Sequence, residues 1–202
     1  KATEASISFR YAYAERTAPL FGSYYSLGSK YPIWYGKVTS GALQTGEKQT
    51  EYSQAVTAIA WQKHINRVGN EHILIEAGKS WSNGPLPLSK LFAGQGYKFD
   101  VKGVLQASLY TFGGLMTMYP YDYYSDQFVS LIYRHDFDWK LYKLEARDIQ
   151  FSSAPNICLQ YNLLYGQLNH KEAQHFVNFS VPDNAYSEAG LLLSNLVRVR
   201  YF

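Results

Sequence analysis

Side chains along most of this chain change character at every second residue. That is the period of a β-strand with one face in apolar and the other in polar surroundings. In the first run Ala5, Ile7, Phe9, Tyr11 and Tyr13 share one side, against Ser6, Ser8, Arg10 and Ala12. A second run places Val129, Leu131, Tyr133, His135 and Phe137 against Ser130, Ile132, Arg134 and Asp136. A third sets Ile157, Leu159, Tyr161, Leu163 and Tyr165 against Cys158, Gln160, Asn162, Leu164 and Gly166. The last sets Ala189, Leu191, Leu193, Asn195, Val197, Val199 and Tyr201 against Glu188, Gly190, Ser194, Arg198 and Arg200. Further strands are predicted over Ile33–Leu43, Tyr52–Ile65, His72–Trp81, Val104–Phe112 and Leu141–Ile149, with a short one at Tyr24–Leu27. The total is about nine or ten, each near the nine to eleven residues that a tilted membrane strand requires.

Composition narrows the architectures that such strands can build. Of 202 residues, 17% are charged and 17% aromatic, with 19 tyrosines. The charged share lies below the roughly 25% usual in soluble domains. A membrane barrel uses such an aromatic excess for its interfacial girdles. An aromatic-rich soluble sandwich or lipocalin-like barrel is the competing architecture. The expectation is an all-β fold, an antiparallel transmembrane β-barrel, with residues 1–202 forming a single barrel segment. No apolar stretch reaches about eighteen residues, so no transmembrane helix is predicted. The net charge of +3 and the scattered basic residues argue against nucleic acid as a partner. The single cysteine, Cys158, excludes an intrachain disulfide, and its place in an alternating run makes it a packed strand residue.

Turn residues separate the runs. Asn66-Arg67-Val68-Gly69-Asn70 and Thr45-Gly46-Glu47-Lys48 are short connections, and His170–Tyr186 and Gly113–Asp126 are long ones. Short turns at one rim and longer loops at the other suit a barrel. Between Pro85 and Leu91 a turn of helix is predicted. Gly84, Gly94 and Gly96 permit close backbone approach, and Pro85 and Pro87 stiffen the segment. With Leu86, Leu88 and Leu91 it reads either as a constriction folded inward or as a packed turn, the latter favoured. Glu188 is placed toward a lumen, where Arg198 or Arg134 could pair with it. Tyr119, Tyr121, Tyr123 and Tyr124, around Pro120, could anchor the chain at lipid headgroups or form a surface patch.

Chemistry is poorly marked. Ser125, Asp126 and His135 are the residue types of a hydrolase triad, without a nucleophile elbow or a nameable oxyanion donor. Asp136 and Asp138 suit a glycosidase only if geometry brings them together. His170 and His175, near Glu172, are a weak metal possibility, and His64 and His72 flank a turn as rim residues. Gly94-Gln95-Gly96 lacks the third glycine and following helix of a phosphate loop. No catalytic residue, metal site or cofactor is assigned, and the chain is read as non-enzymatic.

Three stretches carry a resemblance to a known family. They are Gly84-Pro85-Leu86-Pro87-Leu88-Ser89-Lys90-Leu91 with Gly94 and Gly96; Tyr123-Tyr124-Ser125-Asp126-Gln127-Phe128-Val129-Ser130-Leu131 leading to His135-Asp136-Phe137; and Tyr186-Ser187-Glu188-Ala189-Gly190-Leu191-Leu192-Leu193-Ser194-Asn195-Leu196. Their order and spacing resemble the carboxyl-terminal half of the barrel in outer-membrane proteins of Bacteroidota that carry a carboxypeptidase-like regulatory domain before a barrel of unknown function. The likeness spans roughly residues 72 to 202. More distantly, the first stretch is similar to barrels that insert or secrete proteins, although their Arg-Gly-Tyr or Arg-Gly-Phe loop is not evident.

The resemblance implies a place in the bacterial outer membrane, with further strands after Phe202. It implies a non-catalytic structural or biogenesis component of an outer-membrane complex. Its partners would be the lipid bilayer and other outer-membrane or periplasmic proteins. A diffusion pore or transporter, a barrel hydrolase and a soluble ligand-binding barrel are the alternatives.

Overall fold

Long alternating runs pair side by side into one antiparallel sheet of seven strands. The computed structural model describes residues 2–20, 22–45, 48–98, 113–140, 145–146, 149–150, 156–170, 172 and 179–194. In chain order the strands are β1 (Ala2–Ala12), β2 (Thr17–Leu20), β3 (Ser23–Ser26), β4 (Ile33–Thr45), β5 (Lys48–Ile65), β6 (Gly69–Ser82), β7 (Phe92–Ala93), β8 (Tyr124–Ser125), β9 (Gln127–Lys140), β10 (Glu145–Ala146), β11 (Ile149–Gln150), β12 (Asn156–Gln167) and β13 (Tyr186–Ser194). The large sheet has the order β1-β4-β5-β6-β9-β12-β13, and β2-β3, β7-β8 and β10-β11 are separate two-stranded pairs.

The predicted strands at Ile33–Leu43, Tyr52–Ile65 and His72–Trp81 fall within β4, β5 and β6, all of which run longer. The run over Val104–Phe112 lies outside the described residues, as do Arg198 and the end of the last run. In the turn between β5 and β6, Arg67 and Gly69 carry the positive φ angles, 66° and 143°. The predicted helical turn is a short 3-10 segment, Leu88–Lys90.

The expected barrel is corrected by the pairing. Among the described residues β1 pairs only with β4 and β13 only with β12, so the sheet is open, with these two strands at opposite edges. The physical reason is that a period of two fixes which side each residue faces and says nothing of closure. Closure needs hydrogen bonds between first and last strands at a consistent tilt and shear. The expected family, the transmembrane strands, the outer-membrane location and the lipid-bilayer and outer-membrane partners, drawn from the alternation and the resemblance, find no closed sheet to support them and are set aside. No helix among the described residues is long and apolar enough to cross a membrane.

Register sorts side chains onto two faces of unlike character, because cross-strand partners share a side. One row runs Tyr11–Trp34–Ile59–Ile75–Leu131–Leu163, and its neighbour Phe9–Gly36–Thr57–Ala77–Val129–Tyr165. This is the apolar face, and it stands open: Ile7, Phe9, Trp34, Val38, Ile59, Ile75, Trp81, Val129, Tyr165 and Leu191 are all exposed. The opposite face carries Tyr52, Gln54, Glu76, Ser130, Arg134, Asn162 and Glu188, and here the loops pack.

The covering is a ribbon made from two connections. Tyr97 donates its N–H to the Leu115 carbonyl (2.8 Å), Leu115 to that of Gln95 (2.8 Å) and Gly94 to that of Tyr123 (2.8 Å). Between it and the sheet, Leu115 and Met118 of the ribbon form a buried cluster with Leu164 of β12, and Tyr123, Phe128 and Tyr186 pack against that cluster. Gly96 lets the two connections lie close together, since a Cβ there would lie 2.4 Å from the carbonyl oxygens of both Met118 and Tyr119. The core therefore lies under the more polar face.

Candidate functional site

The apolar face holds a trough whose shape follows from residue size. Its floor is formed by the small side chains of Thr57 and Ala77, adjacent in one cross-strand row, with Ala55 beside them and Gly36 continuing the row beneath the end wall. Phe9 and Trp34 wall it at one end, their rings 5.0 Å apart and edge to face. Trp34 is fixed there by its indole N–H, which donates to Thr57 Oγ1 at 2.6 Å. The Phe9 ring lies over Gly36, where any Cβ would meet it at 2.2 Å. Val129 and Tyr165 close the other end, and the open trough has a volume of about 610 Å³. Contiguous apolar surface of this extent marks interaction surfaces and ligand grooves.

One edge of the trough is polar. Lys79, Gln127 and Gln167 are neighbours in a single row across β6, β9 and β12. The Gln127 amide donates to Gln167 Oε1 at 2.5 Å, and the Gln167 amide donates to the Tyr165 hydroxyl at 2.7 Å. The Lys79 ammonium lies 5.8 Å from the Trp81 ring centre, and no described carboxylate is within ion-pair distance of it.

The covered face holds the charged residues singled out in the sequence, in different pairings. Arg198 lies outside the described residues, and Glu188 is held by the covering ribbon rather than by Arg134. Its carboxylate accepts the N–H groups of Met116 (2.7 Å) and Thr117 (2.8 Å), the Thr117 hydroxyl (2.7 Å) and the Asn162 amide (2.6 Å). Burial pushes its pKa up, but the N–H groups of Thr117 and Met116 and the side chains of Thr117 and Asn162 outweigh this, leaving it below the ordinary carboxylate value. Glu188 thus clasps the covering ribbon to the sheet. Arg134 instead forks onto Asp136, with Nη2 at 2.7 Å and Nε at 3.0 Å, and His72 Nε2 lies 3.5 Å from the same carboxylate. Beside them Cys158 is buried, and burial pushes its thiol up to about 11, the state of a poor nucleophile. Glu76 lines a small cavity under the ribbon with Ser125 and Ser130, and burial raises its pKa.

No family model, curated protein or solved structure matches the chain. The likeness to the Bacteroidota barrel family therefore has neither a match nor a closed sheet behind it.

The remaining expectations are placed as follows. Gly84, Pro85, Leu86, Leu88, Leu91, Gly94 and Gly96 lie on the segment that runs onto the covered face. Leu86 is buried, and with no closed lumen among the described residues there is nothing for a constriction to narrow. The same segment is tied to strands β1 and β5 by Lys90, which pairs with Glu4, and by the Gln54 amide, which donates to the Lys90 carbonyl. Tyr123 packs on Tyr186 and Tyr124 on Phe179, both at 5.6 Å, so neither projects as an anchor. Tyr119 lies under the Lys98 ammonium at 4.4 Å, and only Tyr121 is largely exposed.

The hydrolase reading is corrected by distance and side. Ser125 lines the cavity of the covered face, whereas His135 belongs to the apolar-face row. Ten residues of extended chain separate them by on the order of 30 Å. Nor is His135 beside an acid of the proposed triad: its Nδ1 is 3.8 Å from Glu71, and its ring meets Phe137 at 4.3 Å. The pore and outer-membrane assembly readings lose the lumen and the barrel they required. Among the described residues no group of three His, Cys, Asp or Glu side chains could hold a metal. His175 lies outside them.

Sequence reasoning missed the trough and its polar edge. The small residues Gly36, Thr57 and Ala77 sit in separate strands, and only the register makes them neighbours.

Proposed function

We propose that this chain is a non-catalytic binding module whose working surface is the apolar face of the sheet. The observation that carries this reading is the open surface of two neighbouring rows, Phe9, Val129 and Tyr165 in one and Trp34, Ile59 and Ile75 in the other, around a trough of small side chains. A protein of this size leaves large apolar side chains open singly as a matter of course, but a continuous sheet face of them is a contact surface. The non-catalytic part is supported by the separation of Ser125 from His135 and by the buried, high-pKa thiol of Cys158.

Trp34, Trp61 and Trp81 all project from the apolar face by register, so tryptophan emission reports on it directly. The folded chain should bind the apolar dye anilinonaphthalenesulfonate and show a blue shift of that emission. Ile59→Lys with Ile75→Lys should weaken the binding while the fold persists. A folded protein that takes up no dye would overturn the binding assignment. Labelling by a fluorophosphonate probe, which reacts with activated serines, would overturn the non-catalytic one.

A further inference from the structure

We infer that the trough is a site for one fatty-acid-type molecule, its alkyl chain along Thr57 and Ala77, from the Phe9–Trp34 wall toward Val129, and its carboxylate on the Lys79–Gln127–Gln167 edge. The inference rests on the binding reading above and names its ligand class. Two features of the site converge on it.

The first is shape. The floor is one cross-strand row in which successive positions carry small side chains, bounded by larger ones: Trp34, Ile59 and Ile75 in the next row, Phe9 at one end, Val129 and Tyr165 at the other. A depression one row wide and flanked by large side chains accommodates an unbranched chain, whereas a folded protein surface would have to bring a matching ridge. The chain's methylene groups would cover apolar surface that is now open, each contributing about 0.8 kcal/mol when fully buried.

The second is charge. The residues lining the trough include two charged side chains, Lys37 and Lys79, and no carboxylate. Register puts Lys37 opposite Val56 and Ser8, on the covered face, so Lys79 is the cation that serves the trough. It is exposed and without a described carboxylate partner. Beside it the Gln127 and Gln167 amides give a carboxylate hydrogen-bond donors in the same row. A cation and neutral amides at the mouth of an apolar trough select an anionic head and disfavour a cationic one.

The test compares two amphiphiles of equal chain length and opposite charge, laurate and dodecyltrimethylammonium. Each is titrated below its micellar concentration into the full chain and followed by tryptophan emission. Laurate should bind roughly tenfold more tightly, and Lys79→Glu should reverse the order, since it exchanges attraction for repulsion at an exposed position. Ala77→Phe, which fills the floor, should weaken both by about tenfold or more. Equal binding of the two amphiphiles, unchanged by Lys79→Glu, would overturn the fatty-acid assignment while leaving the apolar-face reading intact. Absence of any emission change with either amphiphile would overturn both.

Discussion

The two faces of the sheet invert the usual relation between polarity and burial. On the apolar face Ile75 is 43% exposed, and on the covered face Ile132, one row away across β6 and β9, is 3% exposed. The same side-chain type thus occupies both environments in adjacent strands. What separates them is the ribbon of residues 92–98 and 113–123, which lies over one side. Burial here is decided by where the loops go. The loops go where the sheet offers polar handles: the Glu188 carboxylate for the N–H groups of Met116 and Thr117, and the Asn162 amide for the Gly114 carbonyl at 3.2 Å. Around the trough the apolar face offers such handles chiefly along its Lys79–Gln127–Gln167 edge.

The sharpest way to break this comparison is to empty the covered side. Ile132→Ala removes a fully packed side chain beneath the ribbon and should destabilise the chain by roughly 3 kcal/mol. A lowered urea midpoint with unchanged slope would show it. The next effect should come from Gly96→Ala. Its methyl group would sit 2.4 Å from two backbone carbonyl oxygens, so the two connections of the ribbon must part there. The expected cost is about 2 kcal/mol, with faster amide exchange at Leu115 and Tyr97, whose hydrogen bond joins the ribbon.

How far these faces could be read from sequence follows from what alternation encodes. The strand runs around Ile33, Tyr52, His72, Val129 and Ile157 were legible because a period of two survives without any knowledge of partners. The sheet edges were not, because nothing in Ala5–Tyr13 or Ala189–Leu193 states whether the two runs meet. Glu188 was picked out as a charge facing away from Leu191 and Leu193, yet its partners proved to be backbone N–H groups more than seventy residues away in sequence, which no side-chain pattern announces. The trough was hidden for the same reason: the row that forms its floor runs over β4, β5 and β6, and only their register assembles it.

The Glu188 clasp sharpens the comparison through pH. Glu188→Gln leaves an amide where Met116 and Thr117 need acceptors, and should cost about 1–2 kcal/mol near neutrality. The sign follows from the depressed folded pKa. The ionised carboxylate contributes stability above its ordinary value of 4.5, and that contribution is lost as pH falls through the lower folded value. Glu76, with its raised pKa, acts in the opposite sense: its contribution is complete below 4.5 and fades as pH rises through the folded value. The native chain and Glu188→Gln should therefore converge in stability on acidification, and the difference between their denaturation curves isolates the clasp from Glu76. A difference that stayed constant down to about pH 3 would show that the carboxylate charge is not what holds the ribbon.

The smallest effect is the most discriminating between the faces. Ile75→Ala removes the same atoms as Ile132→Ala, but from the open side of the sheet, where the ligand-free chain leaves the side chain 43% exposed. Its cost in stability should be no more than about 0.5–1 kcal/mol, a fraction of that at Ile132. Laurate binding should respond the other way round, weakened by Ile75→Ala and little changed by any Ile132 variant that folds. Equal stability losses at the two positions would mean that the apolar face is already covered in solution, and the free surface on which the binding reading depends would not exist.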